Sequence, residues 1–283
     1  MRVAGAPISW GVCEVPGWGH QMAPERVLAE MRDSGLAATE FGPDGFLPAD
    51  PGERSALLKS YGLGAVGGFV PVVLHDPGHD PLPDVRRALA GFGDARTLVL
   101  AAATGLHGYD ERPALTDDAW RTLLANLDRL AEHAASLGLL ATLHPHVGTV
   151  IEGPEEIDRV LAGSEIPLCL DTGHLLIGGT EPLTLARAAA SRVAHVHLKD
   201  VDAELAGRVR SGQMTYTDAV RAGVYRPLGA GDIDIRGIIG ALTAAGYDGW
   251  YVLEQDTILA AEPAAGAGPI EDVLASVAFM EAT

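Results

Sequence analysis

Histidines and carboxylates concentrate at a few places along the chain. His144-Pro145-His146 is followed by Asp171-Thr172-Gly173-His174, then by His195-Val196-His197-Leu198-Lys199-Asp200 and Glu254-Gln255-Asp256. Each group stands at or just beyond the end of a short apolar run. Five of the ten His fall in the first three groups. Imidazole nitrogens and carboxylate oxygens together suit a divalent transition metal such as Mn²⁺, Co²⁺ or Zn²⁺. One donor from each group would meet the others if the four runs were adjacent strands ending above a common axis. A lone Asp before Thr-Gly also reads as a turn or helix cap, and a single strand-end His is usually structural. The repetition over four successive runs points to a metal site. His195 and His197 share a strand face, and His197, nearer the end, is the better placed ligand.

Further candidates surround this set. Lys199 could bind a substrate oxygen or stabilise an enolate, or be an ordinary surface lysine. Glu152 could reach over the site or serve the N-terminus of the helix opened by Pro154. Glu40 ends the second apolar run and, like Trp10, Glu14 and Trp18 after the first, is expected to contact substrate; aromatic faces suit sugar C–H surfaces. His75, His79 and His107 read as solvated loop residues. Cys169 reads as a small apolar residue inside a buried strand. Neither Cys13 nor Ser9 has the context of a nucleophile.

The elements that must carry these groups alternate regularly. Strands are expected at Arg2–Trp10, Ala38–Gly42, Ala65–Leu74, Thr97–Ala103, Leu139–Pro145, Pro167–Gly173, Val193–Asp200 and Trp250–Asp256. Helices are expected near 24–34, 51–60, 82–92, 116–137, 154–162, 181–190, 202–221, 234–245 and 268–281, several opened by Pro and acids in the first turn. Eight strand–helix units in 283 residues fit a single (β/α)₈ TIM barrel. No Gly-x-Gly-x-x-Gly turn follows the first strand, which disfavours an open dinucleotide-binding sheet. The whole chain, 1–283, reads as one domain, with an inserted helical segment at about 201–233 after the seventh strand that could act as a lid.

Composition limits the partners. With 20 Lys+Arg against 38 Asp+Glu the net charge is −18, which repels phosphate backbones and argues against nucleic acid. Two Cys suggest a reducing compartment. No apolar run has membrane-spanning length and the N-terminus reads as a strand rather than a leader, so a cytoplasmic protein is expected. A homodimer is compatible with the sequence, without an interface signature.

At these residues the chain resembles the xylose isomerase-like barrel superfamily, which includes sugar isomerases, ketose 3-epimerases, AP endonucleases and inosose dehydratases. The inosose dehydratase branch matches best, through PISWGVCEVPGWG, HPHVGTVIE, LCLDTGH, HVHLKDV, VRAGVYRPLGAGDIDI and VLEQD. The resemblance implies Asp171, His197 and Glu254 as metal ligands, His174 as a substrate-binding or second-metal position, and Arg226 as a substrate contact. The epimerases carry Glu where this chain has His144, so the fourth ligand is His144 by position or Glu152 if a carboxylate is needed. One metal-binding His expected of the nucleases is missing from Leu228-Gly229-Ala230-Gly231-Asp232.

The chemistry so implied is elimination of water from a cyclic polyol ketone through an enediolate, with His146 as base and Lys199 or His174 assisting loss of the hydroxyl. Mn²⁺ or Co²⁺ is the first expectation for the cofactor, with Zn²⁺, Fe²⁺ or Mg²⁺ behind. The alternatives are a ketose or sugar-phosphate epimerase or isomerase using the same enediolate, β-elimination of a 3-keto-glycoside, and an inactive sugar-binding barrel.

Overall fold

The computed structural model describes all residues except 107 and 110, so the reading of His107 lies outside the described residues. The strands are β1 (Arg2–Gly5), β2 (Ala38–Thr39), β3 (Gly64–Ala65), β4 (Gly67–Val72), β5 (Thr97–Ala102), β6 (Leu140–Leu143), β7 (Leu168–Asp171), β8 (Val193–Leu198), β9 (Asp200–Val201), β10 (Tyr225–Arg226) and β11 (Trp250–Leu253). The helices are α1 (Pro24–Asp33), α2 (Pro51–Ser60), α3 (Leu82–Ala90), α4 (Asp117–Ser136), α5 (Pro154–Gly163), α6 (Thr172–Gly178), α7 (Pro182–Ala188), α8 (Ala203–Arg210), α9 (Tyr216–Arg221), α10 (Ile235–Ala244) and α11 (Pro269–Glu281).

Nine strand segments form one parallel sheet in the order β3-β2-β1-β11-β8-β7-β6-β5-β4. Its two ends belong to one strand, because β3 and β4 are separated only by Val66. The Val66 N–H donates to Thr39 O at 3.0 Å, while its carbonyl accepts from Arg96 N at 3.0 Å and Thr97 N at 3.1 Å. The sheet therefore closes into the eight-stranded TIM barrel expected from the alternation. Gly67 permits the closure: a Cβ there would stand 1.8 Å from Thr97 O. All six residues of β5 are buried, as a parallel strand covered on both faces requires. On α4, the stripe Leu123, Leu127, Leu130 and Ala134 is fully buried.

Four expectations change. Arg2–Trp10 is not one strand: Pro7 opens a 3₁₀ turn over Pro7–Trp10, which Gly11 ends at φ 77°. A helix absent from the sequence reading, α6, follows Asp171 directly, because the Asp171 side chain caps it by accepting from His174 N. The single helix expected over 202–221 is two, α8 and α9, separated at Gly212 (φ +71°) and restarted by the Thr215 cap. Nor is the 201–233 insertion a loose flap. The Asp200 carboxylate accepts from the N–H groups of Val201, Gly229, Gly231 and Ile233 at 2.8–3.0 Å, and β9 pairs antiparallel with β10.

Candidate metal centre and active site

The C-terminal ends of β7, β8 and β11 deliver three donor side chains, Asp171, His197 and Glu254, to one buried point, and His144 at the end of β6 stands against Asp171. Asp171, the last residue of β7, is fully buried and its two oxygens do different work. Its Oδ1 caps α6 by accepting from His174 N at 2.8 Å. Its Oδ2 faces His144 Nε2 at 3.2 Å and His197 Nδ1 at 3.6 Å. His197 Nδ1 also lies 3.2 Å from Glu254 Oε2. A tetrahedral ion with bonds of about 2.1 Å sets its donors roughly 3.4 Å apart, so these separations suit one divalent ion. His197 Nδ1 is buried without a hydrogen-bond partner, as a ligand nitrogen awaiting a metal would be. Asp171, His197 and Glu254 bring their donor atoms within 4.8 Å of one another and form the candidate metal set, while His144 joins it through Asp171, in a second group with His174.

Glu152, the alternative fourth ligand, joins none of the metal-competent groups among the described residues. Its Oε2 accepts from Gly148 N at 2.7 Å and faces Arg112 Nε at 3.5 Å, closing the turn after β6. Burial raises its carboxyl pKa, against the Gly148 N–H and Arg112.

Charge in the site is concentrated. Lys199 Nζ lies 2.9 Å from Glu254 Oε2, 3.4 Å from Asp171 Oδ2 and 2.8 Å from Asp256 Oδ1. Burial alone would push the ammonium toward neutrality; Asp171, Asp256 and Glu254 outweigh it and hold the pKa well above the lysine range. Burial would likewise raise Glu254, but His197 and Lys199 hold its carboxyl down at about 2. A metal engaging Asp171 and Glu254 would leave Asp256 as the counter-ion of Lys199. Asp256 also accepts from Tyr216 OH at 2.5 Å, and Tyr216 OH is 2.8 Å from Tyr225 OH.

Two further imidazoles lie over this centre. His146 Nδ1 is 2.7 Å from the Val147 carbonyl, which only accepts, so Nδ1 carries the proton and Nε2 is bare. Burial, then the positive charges of His144 and Lys199, push its pKa down to about 3. His146 lies against His174 with ring centroids 3.7 Å apart and the rings tilted by 34°. His174 Nε2 accepts from Lys199 Nζ at 3.0 Å. Phe69 and Tyr109 stand 5.5 and 6.0 Å from the His146 ring, and Trp18 is 6.4 Å from Tyr109.

The remaining sequence candidates spread out. Trp18 is buried, with its indole N–H on Thr257 O at 2.9 Å, and contributes to this aromatic wall. Trp10 belongs to the core instead: it is fully buried and donates to Glu30 of α1. Glu14 is exposed beside Cys13. Arg226 is half-exposed and paired with Asp202 at 3.1 Å. Glu40 is buried beneath His197 rather than lining the opening. Phe69, Tyr109, Tyr216, Tyr225 and the role of Asp256 were not found from sequence. Asp256 carried a usable signal, since it lies two residues past Glu254, the spacing that singled out His195 and His197.

Comparison with known proteins agrees with this architecture. Residues 28–281 match the model of the xylose isomerase-like TIM barrel family. An inosose dehydratase of Geobacillus kaustophilus is 34% identical over 272 residues, covering 90% of this chain and 87% of that protein. Among solved structures, an L-ribulose 3-epimerase superposes with a TM-score of 0.70 at 19% identity, covering 99% of this chain and 93% of its own. The zinc-containing IolI protein gives a TM-score of 0.67 at 13% identity, over 99% of this chain and 96% of its own. No helix among the described residues is long and apolar enough to cross a membrane. The chain belongs to the xylose isomerase-like TIM barrel family.

Proposed function

We propose that the chain is a divalent-metal-dependent hydro-lyase that removes water from a cyclic polyol ketone of the inosose type. The observation that carries this reading is the convergence of Asp171, His197 and Glu254, with His144 against Asp171 and the His146 ring 5.1 Å from that of His144. The 34% identity to an inosose dehydratase selects the substrate class. A donor set mixing imidazoles and carboxylates suits a divalent transition metal, with Mn²⁺ or Co²⁺ tried first, Zn²⁺ and Fe²⁺ next, and Mg²⁺, which prefers all-oxygen surroundings, last.

When bound, the ion supplies Lewis-acid stabilisation of the negative charge that builds on the ketone oxygen. His146 Nε2, left without a proton because Nδ1–H is held by the Val147 carbonyl, is the group that takes the proton from the carbon beside the carbonyl. Lys199 Nζ, an ammonium 3.0 Å from His174 Nε2, can deliver a proton to the departing hydroxyl, with His174 as the acceptor that orients it. The ring of Phe69, Tyr109 and Trp18 screens the reacting carbons from bulk water and offers apolar faces to the C–H side of a polyol ring. The −18 charge supports a neutral small molecule over a nucleic acid.

The test is incubation with scyllo-inosose and Mn²⁺ or Co²⁺ while following the ultraviolet absorbance of a conjugated enol or dione. His146→Ala should lower turnover by ~10²–10⁴-fold and stop deuterium wash-in at the α-carbon. Undiminished wash-in would remove His146 from the base role. Absence of the absorbing product together with turnover of a ketohexose would place the chain with the epimerases. Metal analysis showing no stoichiometric ion would favour a sugar-binding barrel.

A further inference from the structure

Below the metal set lies a group that the chemistry just described does not use. Glu40, at the end of β2, is 3% exposed, and His195 and His197 are 1% exposed. A single Glu40 oxygen, Oε1, stands 2.8 Å from His195 Nε2 and 3.1 Å from His197 Nε2. The two His are two residues apart on β8 and so share a face. One carboxylate from across the barrel can therefore hold both, although it lies more than 150 residues away in sequence.

The consequence for His197 follows from donor and acceptor chemistry. An ionised carboxylate only accepts, so His197 Nε2 must carry its proton toward Glu40. The opposite nitrogen, Nδ1, is then the one presented to Glu254 Oε2 at 3.2 Å and Asp171 Oδ2 at 3.6 Å, and it has no hydrogen bond. A metal-ligating His commonly donates its other N–H to a carboxylate, which fixes the ring and makes the ligand nitrogen more basic. His195, held on the same Oε1 from the same strand face, restrains the carboxylate with a second contact.

We propose that Glu40, braced by His195, is a positioning residue that orients His197 so that Nδ1, not Nε2, binds the divalent ion. This assigns Glu40 to metal retention rather than to substrate contact, and it rests on the metal-site reading above. Nothing in the geometry requires Glu40 to touch the substrate.

The test titrates wild-type and Glu40→Gln proteins with Co²⁺ against a competing chelator while recording the visible absorption of the ion. Far-UV circular dichroism of the metal-free proteins serves as the control for folding. The wild type should bind one Co²⁺ per chain. Glu40→Gln should bind it ~10–100-fold more weakly, with an altered visible band. A second measurement needs no variant: in ¹⁵N-histidine-labelled wild type, ¹¹³Cd should couple to Nδ1 of His197. Coupling to Nε2 would overturn the proposal, as would unchanged Co²⁺ affinity and band in Glu40→Gln, even with lowered activity. Binding of two ions, the second lost in Glu40→Gln, would make Glu40 and His195 ligands and overturn it also. Binding of no ion by the wild type would overturn the metal reading and this proposal together, whereas the other adverse outcomes leave the metal reading standing.

Discussion

The two sides of the barrel solve different problems. From β6 round to β11, every strand ends in a group that can hold a metal or a proton: His144, Asp171, His197 and Glu254, with Lys199 and Asp256 beside them. From β2 to β5, the strands contribute one carboxylate, Glu40, and otherwise glycine, apolar side chains and the threonines Thr39 and Thr97. The first side is dense in charge and tolerates it because each ionic group faces an opposite one. The second side is where the sheet must close, and backbone proximity governs it. Charge and closure are thus kept apart. A substitution on one side should damage chemistry and leave the scaffold, and the reverse should hold across the barrel.

Closure offers the harshest test. A Cβ at Gly67 would overlap the Thr97 carbonyl, a backbone atom that cannot swing away. Gly67→Ala is therefore expected to cost more than about 4 kcal/mol or to give no folded protein, as read by chemical denaturation. If it folded with native stability, the closure at Val66 would be looser than the hydrogen bonds indicate.

On the chemical side, Asp171 allows its two tasks to be separated. Asn also caps helices well, so Asp171→Asn should keep the α6 cap but lose the charge that holds the ion. Turnover should fall by about 10³-fold, matching the several kcal/mol that a Lewis acid supplies. Asp171→Ala should lose a similar amount of turnover and about 1 kcal/mol more stability, because the cap goes as well. Equal stability of the two variants would mean that the contact with His174 N does little.

The same division explains what could be read from sequence. The barrel was legible because buried parallel strands are continuous apolar runs and their helices keep a 3.6-residue stripe, as β5 and α4 show. The metal set was legible because the strands nearest it in space are also successive in sequence. Glu40 was misplaced for the opposite reason: its partners stand 155 and 157 residues away, a pairing visible only once the barrel closes. The helix α6 was hidden because capping was weighed as the alternative to a ligand role for Asp171, whereas one residue serves as both. Tyr216 and Tyr225 sit in the insertion, where no periodicity marks which side chains turn inward.

Tyr216 tests whether the insertion belongs to the chemical side. Its hydroxyl donates to Asp256, which with the metal bound would be the remaining counter-ion of Lys199. Tyr216→Phe should cost ~1–2 kcal/mol of stability, since a hydrogen bond to a charged group is lost inside the protein. Turnover should fall about tenfold, the equivalent of 1.4 kcal/mol, with little change in KM if Asp256 acts only through Lys199. A rise in KM with unchanged turnover would instead make Tyr216 a substrate contact.

The smallest effect separates the two cysteines. Cys169 lies fully buried in β7 beneath the metal set, and burial pushes its thiol up to about 11. Cys13 is only partly buried, but burial and then Glu14 push it up to about 12. A thiol reacts as its thiolate, and a raised pKa means that the proton stays on until the pH approaches that value. At pH 8 both should therefore be neutral and slow toward a thiol-specific reagent, whereas an unfolded chain, with pKa near 8.5, should react readily. Cys13 should be modified first, because the reagent can reach it without opening the barrel. Modification of Cys169 ahead of Cys13 would show that the charged side opens more readily than the loop after β1, the reverse of what its ion pairs predict.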